Sequence, residues 1–339
     1  MKKLLILGGS RYIIPVIDVA HKLGIYVITC DYLPNNIAHS YSDLYINVSI
    51  VDKEEVLKKA KELEIDGIIS FACDPGVVTA AYVAEKMNLP GPGPYESVCV
   101  LQNKGLFRAF LEKNGFNVPK SRSYKTIQSA INDANYFNWP VIVKPTDSAG
   151  SKGVTKVDDK KGLNVAIVNA LQYSLSKEFI VEDFLAQKGF SSDSDCFSID
   201  GKMAFYSFSS QRFDSKCENP YTPSAYSWPS TISMQNQKLL KSEIQRLISL
   251  LGLKTSIYNI ETRETDDGKA YIMEVSPRGG GNRLAEMVNY STGVDLISEY
   301  VKYSVGLPLS KIEQKPYNNN IAEIILHSKE PGIYKNVYI

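Results

Sequence analysis

The sequence predicts an α/β protein that becomes α+β in its later half, and three observations carry that prediction. Short apolar runs alternate with helical stretches over residues 3–87. A proline cluster, Leu89-Pro90-Gly91-Pro92-Gly93-Pro94, then interrupts all regular structure. Further on, two apolar runs flank Thr265-Asp266-Asp267-Gly268, a strong hairpin signal. At roughly 150 residues per domain, the 339-residue chain allows two or three domains.

Lys3–Leu7 (Lys-Leu-Leu-Ile-Leu) reads as a buried parallel strand. A helix from Pro15 to Leu23 follows, then a strand Tyr26–Cys30 ending at Asp31. The helix Lys53–Leu63, the strand Gly67–Phe71 and the helix Val77–Met87 continue the alternation, which implies a parallel sheet covered by helices. Gly8-Gly9-Ser10 is either a phosphate-cradling turn with Asp31 on a ribose, or a tight turn plus a capping Asp. No NAD site is assigned, because Arg11-Tyr12-Ile13 replaces the rest of a Gly-x-Gly-x-x-Gly pattern. The proline cluster forbids a helix or central strand and reads as a domain-edge loop. A helix from near Glu96 through Leu111 would carry Asn103-Lys104.

Val118-Pro119 opens a new unit, with a helix at Ile127–Ala134 and a strand Val141–Lys144 stopped by Pro145. Thr146–Val154 is a loop of small residues with one lysine, either a flexible hairpin or an anion cradle with Lys152 adding charge. Lys144 interrupts a strand fit for burial, so it sits on an exposed edge or has an anionic partner. The strand Glu178–Leu185 ends in Glu182-Asp183-Phe184-Leu185, which suits an adenine slot. Ser256–Glu261 and Ala270–Val275 form the antiparallel pair around the hairpin turn. Glu261 and Glu274 lie at similar distances from that turn, so they face solvent or converge. Converging carboxylates repel unless a proton or cation sits between them, and Mg²⁺ takes such oxygens together with substrate phosphates. Ser276-Pro277-Arg278-Gly279-Gly280-Gly281-Asn282-Arg283 follows, either as an interdomain loop or as a guanidinium fork for a carboxylate or phosphoryl group. A helix spans Leu284–Tyr290.

Composition narrows the function classes. The chain is 44% hydrophobic with a net charge of +1 (38 Lys and Arg against 37 Asp and Glu). This excludes wholesale disorder and gives no support to a basic nucleic-acid binder. No apolar run reaches the roughly 20 residues that span a bilayer. After Met1-Lys2-Lys3 the apolar run stops at Gly8-Gly9, which argues against a secretory signal. Cys30, Cys73, Cys99, Cys196 and Cys217 include no Cys-x-x-Cys pair, and His21, His39 and His327 are far apart. No disulfide framework, zinc site or His-based metal site is expected, and a cytoplasmic location is. Residues 187–235 are the least readable stretch. Asp193, Asp195, Arg212 and Lys216 there are substrate contacts or plain surface charges.

The ordered set Asn103-Lys104, Val143-Lys144-Pro145, Ser148–Val154, Val181–Leu185, Glu261 and Glu274-Val275-Ser276-Pro277-Arg278 resembles the ATP-grasp superfamily of carboxylate–amine and carboxylate–thiol ligases. The branch it resembles contains the carbamoyl-phosphate synthase large chain, biotin carboxylase and the L-amino-acid ligases. The resemblance implies a parallel-sheet preATP-grasp domain (1–95), a connecting helix region (96–114), a lid subdomain (115–185), a catalytic subdomain (186–310) and a short C-terminal segment (311–339). It implies that Lys104 contacts nucleotide phosphates and that Lys144 serves the α-phosphate and adenine side. Ser148, Gly150, Ser151, Lys152 and Gly153 would form the mobile lid over the β- and γ-phosphates. Glu182, Asp183, Phe184 and Leu185 would hold adenine and ribose. Glu261 and Glu274 would be metal ligands, with Ser276 where the family usually has Asn. Arg278 matches the arginine near an acyl phosphate, and Arg283 more loosely a substrate-carboxylate site; with Lys152 these are the catalytic candidates. Asn103 stands where the family usually has Asp.

The activity so implied is an ADP-forming, ATP- and Mg²⁺- (or Mn²⁺-) dependent ligase. It would join small-molecule carboxylates and amines, amino-acid-like in kind, through an acyl phosphate. Bicarbonate activation, phosphoribosylamine–glycine ligation and a non-catalytic nucleotide-binding subunit are the alternatives. No nucleic-acid or membrane partner is expected, and a homodimer is compatible with this reading.

Overall fold

The computed structural model describes residues 1–217, 219–326, 332, 333, 335 and 336; His327 and most of the chain beyond it lie outside the described residues. The first sheet contains β1 (Lys3–Leu7), β2 (Tyr26–Cys30), β3 (Leu44–Ile46) and β4 (Gly67–Ser70), all parallel in the order β3-β2-β1-β4. It is covered by α1 (Ile14–Lys22), α2 (Lys53–Glu62) and α3 (Asp74–Met87). The continuous apolar runs are explained by burial on both faces: Leu5, Leu7 and Ile28 pack towards α2 and α3, while Leu4, Ile6 and Val27 pack towards α1. Asp31 spends its carboxylate on Leu33 N and Asn36 Nδ2, which ties down the loop after β2.

The helix expected through 96–111 is broken in two, α4 (Tyr95–Gln102) and α5 (Lys104–Lys113). Asn103 adopts extended backbone (φ −108, ψ 112) and its Oδ1 accepts from Leu106 N at 3.0 Å. It caps α5 and puts Lys104 at the first helical position. A second sheet follows, antiparallel, in the order β5-β8-β6-β7: β5 (Ser121–Tyr124), β6 (Val141–Pro145), β7 (Thr155–Val157) and β8 (Phe179–Asp183). Its helices α6 (Ile127–Asn132) and α7 (Leu163–Gln172) pack on Val141, Val143, Phe179 and Val181.

The last seven strands are β9 (Ser192–Ile199), β10 (Lys202–Phe205), β11 (Ser210–Phe213), β12 (Pro223–Trp228), β13 (Ser256–Glu264), β14 (Ala270–Ser276) and β15 (Ile321–Ile324). They form an antiparallel sheet β10-β9-β13-β14 and a smaller one, β11-β12-β15. α8 (Met234–Leu250) packs Leu240, Ile244 and Leu247 on the first of these together with Phe107 and Leu111 of α5. α9 (Leu284–Thr292) and α10 (Leu296–Ser304) then return to the N-terminal sheet. Val288, Leu296, Tyr300 and Val301 share one core with Leu4, Ile6, Ile17 and Ile69. Among the described residues no helix is long and apolar enough to cross a membrane, and Cys30, Cys73, Cys99 and Cys196 are free thiols.

Candidate active site

A cleft of about 520 Å³ lies between the β5–β8 sheet and the β10-β9-β13-β14 sheet. Strand alternation decides which side chains reach it. On β6, Val141 and Val143 enter the core while Ile142 and Lys144 face the cleft; on β8, Val181 goes inward and Glu182 faces the cleft. Lys144 has an anionic partner: its Nζ donates to Glu182 Oε1. The other oxygen, Oε2, accepts from Arg108 Nε at 2.9 Å, and Arg108 Nη1 donates to Met273 O at 2.9 Å. Burial alone would raise the Glu182 carboxyl, but Arg108 and Lys144 outweigh it and hold it at about 2. Arg108 escapes sequence reading because a cation on an amphipathic helix resembles a solvent-facing residue.

Register places the carboxylates. Asp193, Glu261 and Glu274 form one row across β9, β13 and β14, and Asp195, Asn259 and Ser276 form the next row on the same face. A β-bulge between Glu261 and Thr262 leaves Met273 outside the pairing, and its carbonyl is the one Arg108 takes. Burial raises the Glu261 carboxyl; Arg263, at 3.6 Å, opposes this and Glu274 adds to it. Lys104 Nζ lies 3.6 Å from Glu274 Oε2 and donates to Ser148 O at 2.8 Å, linking this row to the 146–154 loop. Burial raises Asp193 to about 7, helped by Glu261. Burial likewise raises Asp195 to about 7, against Arg278 and with Asp193.

The loop 146–154 reaches across the cleft. Ser151 Oγ donates to Tyr221 O at 3.0 Å, and Asn219 Nδ2 donates to Ser151 O at 3.1 Å. Ser148, Gly150, Ser151 and Lys152 line the cleft with Phe184 and Leu185. Gly153 is tucked against Pro145 and Tyr173 instead. Asp183 also points away, accepting from Asn138 N and Nδ2 at 2.9 and 2.7 Å.

The arginine loop docks on the first sheet. Gly279 O accepts from Ala72 N at 3.0 Å, and a side chain at Gly279 would collide with the Phe71 ring. Gly280 N donates to both oxygens of Asp195 at 2.9 and 3.1 Å, an approach only a residue without Cβ permits. Arg278 lines the cleft and forks onto Asp74, Nε to Oδ1 at 2.9 Å and Nη2 to Oδ2 at 2.8 Å. Burial opposes ionisation of Asp74, but Arg278 holds its carboxyl below the usual range. Ser276 turns its hydroxyl to Asp74 Oδ1 (3.0 Å) and Gln102 Nε2 (2.9 Å) and is absent from the cleft lining. Arg283 is exposed and paired with Glu286 at the start of α9. Arg212 stacks on Phe190 and bonds Ser210 O and Ser227 Oγ, and Lys216 N donates to Asp214 Oδ1; neither side chain lines the cleft.

Glu261 and Glu274 fit a Mg²⁺ ion. They are register partners on neighbouring strands, and Mg²⁺ commonly takes one or two carboxylates plus substrate phosphates. Among the described residues no group of three His, Cys, Asp or Glu side chains forms a site for a metal, so phosphate and water oxygens would have to complete the shell.

Residues 137–286, which hold most of this cleft, match the family model described as the ATP-grasp domain. The chain is 27% identical over 262 residues to the uncharacterised protein y4rH of Sinorhizobium fredii, covering 74% of this chain and 51% of that protein. It is 26% identical over 272 residues to the carbamoyl phosphate synthase large chain of Pseudothermotoga lettingae, covering 76% of this chain and 23% of that one. The chain thus spans about half the length of the first relative and about a quarter of the second. In structure it resembles L-amino acid ligase from Bacillus licheniformis, with TM-score 0.80, 23% identity, and coverage of 97% of this chain and 82% of that one. That likeness is one of fold.

Proposed function

We propose that the chain is an ADP-forming carboxylate–amine ligase that uses ATP and Mg²⁺ and acts on small, amino-acid-like molecules. The observation that carries this reading is the Glu261–Glu274 pair facing Lys104, Lys144, Arg108 and Lys152 in one cleft. A polyphosphate needs that arrangement of cations around a metal-binding pair. The domain match and the likeness to an L-amino acid ligase support it. Mg²⁺ held by Glu261 and Glu274 would supply Lewis-acid neutralisation of the phosphates.

Lys104 and Lys152 stabilise charge developing on the transferred phosphoryl group, and the Arg108–Glu182–Lys144 cluster fixes the nucleotide side. An oxygen of the substrate carboxylate attacks the γ-phosphorus, the bond to ADP breaks, and an acyl phosphate forms. The amine nitrogen then attacks the acyl carbon, inorganic phosphate leaves, and the amine loses a proton. The 146–154 loop keeps water from the acyl phosphate.

Glu274→Gln is expected to lower acid- and amine-dependent ADP release at least a hundredfold, a loss of about 2.7 kcal/mol of transition-state stabilisation. Chelating Mg²⁺ with EDTA should do the same in the unaltered protein. Coupled-enzyme detection of ADP reads both, and normal turnover in Glu274→Gln would refute the metal assignment. Tight, metal-insensitive ATP binding with no ADP from any acid would point instead to a nucleotide-binding subunit.

A further inference from the structure

We propose that Asp193 is the receptor for a cationic amine carried by the acid that is activated in this cleft. The inference rests on the ligase reading for which group reacts, but not for which group binds. It begins with how the cleft's carboxylates are partnered. Glu182 is taken by Arg108 and Lys144, and Asp74 by Arg278. Glu274 has Lys104 and Glu261 has Arg263, each at 3.6 Å. Among the described residues the hydrogen-bond partners of Asp193 are all neutral, Asn259 Nδ2 at 2.6 Å on Oδ1, with Tyr226 OH at 3.1 Å and Gln211 Nε2 at 3.5 Å on Oδ2; the guanidinium of Arg278 acts on it through space only. A carboxylate offers about four acceptor sites, so Oδ1 keeps one to spare.

Position gives that spare site a ligand. Asp193 is half-buried and lines the cleft, whereas Asp195 is fully buried and turned to Gly280. Tyr226 and Gln211 hold the Asp193 carboxylate in place from β12 and β11. Asp193 is also the end of the Asp193–Glu261–Glu274 row. A metal at Glu261 and Glu274 would offset the charge of those two, and Arg278 is already forked onto Asp74, so Asp193 is left without a cation hydrogen-bonded to it at the cleft wall. A primary ammonium is a compact cation with directed N–H donors, which matches one half-buried carboxylate with a free acceptor site. Cross-strand neighbours stand about 5 Å apart, so an acid reacting over Glu261 and Glu274 would bring an α- or β-amino group to Asp193.

The test is calorimetric titration of the full chain, with Mg²⁺ and a non-hydrolysable ATP analogue, using the L-α-amino acids and β-alanine one at a time. The desamino acids of matching length are titrated alongside. At least one amino acid is expected to bind about ten- to a hundredfold more tightly than its desamino counterpart. Asp193→Asn is expected to abolish that difference. The unaltered protein's own preference keeps the test alive should Asp193→Asn fold poorly: no preference for the amine overturns the proposal. So does a preference that survives in a folded Asp193→Asn protein. The ligase reading fails separately, if the acid that binds yields no ADP when an amine is supplied.

Discussion

Glu182 sits where Arg108 and Lys144 meet at the cleft, almost fully removed from water. Its carboxyl is held at about 2, against about 4.3 for a free glutamate. A carboxylate depressed on folding stabilises the protein above its unfolded value, and that contribution is lost as pH falls through the folded value. Glu182→Gln strands two buried cations, so a loss of about 3–5 kcal/mol is expected at pH 7. The gap from the unaltered protein should shrink as pH falls from about 4.3 towards 2. Urea denaturation at stepped pH measures it, and a pH-independent gap would show that the ion pairs are not its source. Legibility at this scale depended on sequence distance. Lys144 announces itself as a cation inside an apolar strand, but Arg108 is 74 residues from Glu182, and Asp74 is 204 residues from Arg278. No local pattern joins such pairs. Asp183 was open to better reading: once Glu182 faces the cleft, two-residue alternation sends Asp183 the other way.

At the scale of elements, the break between α4 and α5 matters most. Asn103 ends one helix, caps the next and thereby sets Lys104 beside Ser148 and Glu274. Asp and Asn are equally good caps, so Asn103, where the resemblance leads one to expect Asp, keeps the cap. Asn103→Asp is expected to be near neutral in stability, while Asn103→Ala costs about 1 kcal/mol. Because the lost cap frays the turn that carries Lys104, Asn103→Ala should also weaken ATP binding. Chemical denaturation and nucleotide titration read the two effects, and an unchanged ATP affinity would separate the cap from the site. Strand positions were legible because apolar alternation and the Thr265–Gly268 turn fix the β13–β14 register. The helix break was not, since the apolar pattern runs on through Asn103 and only its backbone angles reveal the cap.

Across the whole molecule, the N-terminal sheet and the C-terminal helices share a core. Leu296 and Tyr300 of α10 pack with Leu4, Ile6 and Ile69, and Ile257 of β13 joins them. Leu296→Ala is expected to cost about 2–5 kcal/mol. Hydrogen exchange should show β1, β4 and β13 losing protection together; loss confined to α10 would mean that the core is not a cooperative unit. The α/β character of the first third was readable from its apolar runs. The source of the helices covering one of its faces was not, because α9 and α10 are amphipathic segments whose target lies over two hundred positions away.

That shared core has a consequence for biosynthesis. During translation β4 emerges long before α10, with residues 71–295 made in between. At roughly 5–20 residues per second, the nascent sheet waits on the order of ten to fifty seconds with part of one apolar face uncovered. Synonymous codon changes that slow elongation across residues 71–295 should therefore lower the yield of native protein without altering a single side chain.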